Sequence, residues 1–183
     1  MAERLDRSRV ARRALELLDD GGLDALTLRR LAADLGVKAP ALLWHFRDKG
    51  DLLDEMAAMM LADLVEAADW TDVGAGWEAC MRESAETMRG EIARRPDGAR
   101  LFARTFANQE LGRAAITQPV QLLVEAGFAV EDSVRAWRTL LGFVLGFVVQ
   151  EQAGGSADAD AQFAFGVDVV VDGVAARVDL AGI

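Results

Sequence analysis

The chain is poor in the residues that most site chemistry requires. Its 183 residues include one cysteine, Cys80, and one histidine, His45. A lone cysteine excludes an internal disulfide, and a lone histidine leaves no Cys/His, Ser/His/Asp or metal-spaced cluster. Glycine-rich phosphate loops are missing as well. The longest apolar run, Leu140 to Val149, has ten residues, against the ~20 that cross a bilayer. No apolar segment follows Met1-Ala2-Glu3-Arg4-Leu5-Asp6-Arg7 to form a secretory leader. These absences point to a cytoplasmic protein that is neither an enzyme nor a metal or cofactor carrier, and that has no membrane partner. Acidic pairs such as Asp168 and Asp172 fit a solvated helix face better than acid/base work.

Apolar residues make up 52% of the chain, which excludes disorder, and the length holds one sizeable core or a small head on a larger body. The net charge of −10 is unevenly spread. Residues 1–50 carry ten basic and eight acidic groups, leaving ten basic and twenty-two acidic groups for the remainder. Only the first fifty residues can approach a polyanion without repulsion.

Within those fifty, Thr27 is a good N-cap, and Leu28, Leu31, Ala32 and Leu35 recur at three and four residues to form one buried stripe. Gly36 supplies the left-handed residue that ends the helix. Pro40 suits the first turn of the next helix, which the spacing predicts over Pro40 to Phe46. There Leu42 and Phe46 point inward, Pro40 and Trp44 outward, and Ala41 and Leu43 sit on the shoulders. That is the pattern of a helix-turn-helix, although an ordinary helical hairpin shares it. The outward face is small and apolar, suited to thymine methyls, while Arg29, Arg30, Lys38, Arg47 and Lys49 around it suit phosphates.

Elsewhere the periodicity predicts helices over Asp6 to Asp20, Lys49 to Ala68, Gly76 to Arg94, Asp97 to Thr105, Glu110 to Ala126, Glu131 to Gln152 and Asp160 to Leu180. The valines of the last segment favour a strand by propensity, but Phe163, Val167, Val170, Val171, Val174 and Val178 recur at helical spacing. The expected fold class is therefore all-α. A three-helix head (1–50) joins a larger helical body (51–183) through the helix beginning at Lys49. Ala153 to Ala159 reads as a loop.

The stretch from Arg4 to Leu53, with Ala14-Leu15-Glu16-Leu17-Leu18, Leu26-Thr27 and Trp44-His45-Phe46 in register, resembles the DNA-binding domain of the tetracycline-repressor family. Asp97-Gly98-Ala99-Arg100, Glu125-Ala126-Gly127-Phe128 and Leu145-Gly146-Phe147-Val148 extend the likeness to the branch with a tetracycline-repressor-like C-terminal domain. The resemblance implies a homodimeric repressor that binds double-stranded operator DNA and leaves it when a small-molecule inducer enters the body. The last two long helices, with Val144 and Val170 among their apolar positions, would form a four-helix interface with the partner. A helical small-molecule carrier without sequence-specific DNA binding is the alternative from another class, and a hydrolase with paired carboxylates a distant third.

Carried over by position, Arg29, Pro40 and Lys49 match DNA-contacting residues of the family. Ala39, Ala41 and Leu43 replace larger or more polar groups, so the operator does not transfer. With the outward face of the motif, the expected DNA-contacting set is Thr27, Arg29, Lys38, Ala39, Pro40, Ala41, Leu43, Trp44, His45 and Lys49. The expected ligand set is Ser84, Met88, Phe102, Thr105, Val134, Trp137, Phe147 and Gln150. Where tetracycline repressors place histidines for the drug and its magnesium, this chain has Val65 and Phe102, and Gln150 stands where they have a metal-linked glutamate. An apolar or aromatic inducer bound without metal is the expectation.

Overall fold

Capping and periodicity place most of the helices. In the computed structural model, which describes residues 5–67, 76–155 and 157–181 and side chains as far as residue 177, eleven helices occur among the described residues and no strands. The predicted Val178 lies beyond the described side chains. The head comprises α1 (Arg7–Ala25), α2 (Leu28–Asp34) and α3 (Ala39–Leu42). The Asp6 carboxylate accepts the Arg9 N–H at 2.8 Å to start α1, and Thr27 Oγ1 accepts the Arg30 N–H at 3.1 Å to start α2. At the other end of α2, Gly36 sits at φ 67° and the Val37 N–H reaches back to the Ala32 carbonyl at 2.9 Å, the six-to-one bond of a Schellman stop.

Two head helices differ from expectation. The first is interrupted near its expected end by Gly22, whose non-helical φ of 70° and ψ of −177° break the helix before a short further helical stretch runs to Ala25. The recognition helix is one turn long. After Leu42 the chain tightens, with the His45 and Phe46 N–H groups both donating to the Leu42 carbonyl at 2.9 Å, and this returns Phe46 to the core.

Helix α4 (Lys49–Ala67) belongs to head and body alike. Leu52 and Met56 are fully buried near its start, and Met60, Leu61 and Leu64 continue the apolar face. The body adds α5 (Trp77–Ala93), α6 (Gly98–Phe102), α7 (Arg104–Ala107), α8 (Gln109–Ala114), α9 (Thr117–Glu125), α10 (Val130–Gln152) and α11 (Ala159–Ala181). The stretches read as single helices over Asp97 to Thr105 and Glu110 to Ala126 are each broken in two. The first break, at Ala103, involves no proline. In the second, Pro119 has no N–H for the Ala115 carbonyl and its ring excludes a continuous helix there. The freed carbonyl accepts the Trp137 indole N–H at 3.2 Å instead.

Helix α10 packs on α5, α9 and α11. Val144, expected at the interface between subunits, has no exposed surface in the protomer, and Val170 is half-buried. The stripe that contains Val144 packs inside the subunit core, so the outward face is a different one. Exposed on these two helices are Phe165 and Val169 of α11, at 72% and 56%, and Gly142, Gly146 and Val149 of α10.

Where α10 meets α11, Phe143 stacks on Phe163 with ring centroids 5.5 Å apart, and Phe147 meets Phe163 edge-on at 5.1 Å. A Cβ on Gly166 would collide with the Phe143 ring. Gly166→Ala should therefore lower stability by about 1 kcal/mol, since overpacking costs about 1–3 kcal/mol and exceeds the ~1 kcal/mol gained in helix propensity. Urea unfolding measures it, and a raised midpoint would mean that Phe143 can swing aside.

Candidate DNA-reading face and ligand cavity

At the reading face, Thr27, Arg29, Lys38, Pro40, Leu43 and Trp44 are exposed, while Ala39, Ala41, His45 and Lys49 are half-buried. Trp44 is 89% exposed, an expensive position for an indole with no surface to cover. Thr27 is spent on capping α2 and Lys49 on the Leu23 carbonyl, to which its ammonium donates at 3.0 Å. Two of the residues expected at DNA therefore also hold the head together.

Sequence reading missed the residues that fix this face. Arg7 donates to the His45 carbonyl and to Asp51 at 3.2 Å and Glu55 at 2.8 Å, and its guanidinium lies 4.4 Å from the centroid of the Phe46 ring. Asp51 also accepts the Arg47 N–H at 3.0 Å. That backbone N–H, then Arg7, holds the Asp51 carboxyl below its ordinary range. The turn after α3 is thus clamped from both ends. No local pattern announces Arg7, because its partners lie well apart from it in the chain.

In the body, Leu61, Leu64 and Val65 of α4, Ser84 and Met88 of α5, Phe102 of α6, Ala115, and Trp137 and Leu141 of α10 surround one cavity. Of the expected ligand set, Ser84, Met88, Phe102 and Trp137 meet there. Thr105 is buried but faces a neighbouring cleft, and half-buried Val134 lines neither space. Phe147 and Gln150 stand elsewhere. At about 100° per residue Gln150 lies roughly 220° around α10 from Trp137, and it is exposed in the protomer. Phe147 joins Phe163 under the Arg89 guanidinium, which also binds Glu151 and Asp160.

The cavity is tight, about 20 Å³, room for little more than one water. Among the described residues its wall is apolar apart from Ser84, whose hydroxyl donates to the Cys80 carbonyl at 2.6 Å. Val65 and Phe102 both belong to this wall. Magnesium requires oxygen ligands in octahedral order, including a carboxylate as a rule, and the described residues of this wall, which include no carboxylate or imidazole, do not fit it.

One segment serves both regions. Arg95 binds Asp19 at 2.7 Å, Asp97 accepts the Leu23 N–H at 2.9 Å, and Arg104 binds Asp54 at 2.7 Å and the Gly50 carbonyl at 3.1 Å. Phe102 lies between these clamps.

Residues 11–56 match the model for bacterial regulatory proteins of the tetR family, and residues 71–157 match that for the tetracyclin repressor-like C-terminal domain. The class A tetracycline repressor protein from transposon 1721 of Escherichia coli is 36% identical, over 95% of this chain and 92% of that protein. The crystal structure of a single-residue variant of TetR from Acinetobacter baumannii AYE in complex with minocycline superposes with a TM-score of 0.82 at 34% identity, covering 93% of this chain and 96% of that one. BioQ with its natural double-stranded DNA operator gives 0.79 at 35% identity, covering 94% and 99%. With the helix-turn-helix head and helical body already in view, these likenesses establish that the chain belongs to the TetR family of bacterial regulatory proteins, in the branch with a tetracycline repressor-like C-terminal domain.

Proposed function

We propose that this ligand-responsive transcriptional regulator is a cytoplasmic homodimeric repressor whose inducer is an apolar or aromatic molecule bound without metal. The observation that carries the reading is the shared segment from Arg95 to Arg104, which holds the head by three clamps and the cavity by Phe102. A molecule that opens a cavity of about 20 Å³ must displace its walls. Phe102 cannot move without α6, and α6 cannot move without loading Asp97 at the kink of α1. Val65 and Leu64 pass the same displacement into α4. The head is thereby turned away from the spacing that its operator requires.

DNA contact is assigned to Arg29, Lys38 and the apolar turn from Ala39 to Trp44, with BioQ as the structural relative seen on its own operator. Arg29→Ala should cost about 1–3 kcal/mol if the guanidinium reads a guanine. Gel-shift titration against an operator selected from genomic fragments measures this, and unchanged affinity would remove Arg29 from the interface.

The exposed Phe165 and Val169, with a groove of about 540 Å³ beside them between α10 and α11, form the face assigned to the partner subunit. A charge placed there would be buried unpaired on association. Val169→Asp should give monomers in light scattering while leaving the helical circular dichroism intact. A variant that remains dimeric would place the interface elsewhere. The dimer also implies a palindromic operator with half-sites about one helical turn apart.

Inducer affinity should be the same in EDTA as in magnesium, and Trp137→Ala should weaken ligand binding more than operator binding. Calorimetric titration of a screened ligand is the measurement. An affinity that appears only with magnesium would restore the metal-linked mode.

A further inference from the structure

The body is strongly acidic, and its arginines are accordingly consumed. Among the described residues from 51 onward, every arginine other than Arg113, Arg138 and Arg177 holds a carboxylate in an ion pair, and Arg177 lines a groove that also contains Asp132. Arg113 and Arg138 line one cleft of about 340 Å³, whose remaining wall is apolar or neutral, with Phe106, Asn108 and Ile116 in it and no acidic side chain among the described residues. Where acidic groups outnumber basic ones twenty-two to ten, two unneutralised guanidiniums around an acid-free cleft run against the composition.

The cleft adjoins the apolar cavity. Both are lined by Ala115 and Leu141, and the Ala115 carbonyl that holds the Trp137 indole lies in the wall between them. The inner space is small and apolar, the outer one roomy and cationic. A molecule reaching the inner cavity through this cleft passes two arginines, which repel a magnesium-bearing complex and attract an anion. The planar guanidinium fork matches a carboxylate in two parallel hydrogen bonds.

We propose that the inducer is an amphipathic anion: its apolar or aromatic body opens the cavity beside Trp137, and its carboxylate is held in the cleft by Arg113 and Arg138. This rests on the ligand site proposed above and adds the charge and polarity of what fills it. A neutral apolar molecule would gain the cavity and leave both guanidiniums to water.

The test is calorimetric titration of the full-length protein with ω-phenylalkanoates, from butanoate to decanoate, each paired with its primary amide. At least one carboxylate should bind about tenfold more tightly than its amide, as a charge-assisted pair at a solvated site allows, with a preference that shrinks as salt is added. Arg113→Gln with Arg138→Gln should bring the carboxylate down to the affinity of the amide and leave the amide unchanged. Both side chains are exposed, so the double variant keeps its fold. Equal affinities in the wild type, a preference that survives in the double variant, or no carboxylate binding overturns the anion site. If amides still bind and Trp137→Ala weakens them, the apolar cavity stands without it. If Trp137→Ala leaves bound probes unaffected, the ligand site itself falls.

Discussion

A single aspartate in the left-handed conformation joins the two halves of the molecule. Asp97 sits at φ 57°, and its carboxylate accepts the Leu23 N–H at the break in α1 while binding Arg100 at 2.9 Å. The Leu23 N–H, with help from Arg100, holds that carboxyl below its ordinary range. Gly22 is required opposite it twice over: its φ of 70° disfavours a side chain, and a Cβ there would lie 2.8 Å from Asp97 Oδ2. Kink, carboxylate and helix start define one another. The adjacent ion pairs of Arg95 and Arg104 add direction to this joint, fixing the short helices α6 and α7 to α1 and α4.

The body is built around the opposite constraint, a lack of space. Phe102, Met88 and Trp137 close on one another until little more than a water fits. Dense apolar packing of this kind resists small deformations and yields by rearranging, which is the behaviour a switch requires. Methionine is the wall residue best able to comply, having an unbranched and polarizable side chain. The cleft outside is already open, so the cost of admitting a ligand by the proposed route falls on the inner wall alone.

The head is legible in the sequence because its signals are local. Thr27, Gly36 and Pro40 act within a turn of where they stand, and the structure uses all three as expected. The body is legible to the level of its helices. Pro119 is a signal that periodicity alone passes over: a proline inside a supposedly continuous helix demands a break four residues upstream, and the break supplies the carbonyl that orients Trp137. Gln150 and Phe147 fall away from the cavity because positional likeness ignores the turn of the helix that carries Trp137. The Val144 stripe is apolar for its own subunit and not for a second one. Residues such as Arg7 and Arg138 give no signal, and Asp97 signals only a helix start and a family motif, since what distinguishes them is the company brought by distant parts of the chain.

The two functional ends also carry indoles in opposed environments. Trp44 stands 89% exposed on the turn assigned to DNA, and Trp137 is 3% exposed with its N–H on a carbonyl at the cavity assigned to the ligand. An indole in water emits to the red of one shut in an apolar wall, so once Trp70 and Trp77, the chain's other two indoles, are replaced by phenylalanine, each of the two proposed binding sites keeps its own optical reporter. Occupancy of the cavity and loss of the operator can in such a variant be timed against each other without a dye, and the order in which they occur becomes an observable.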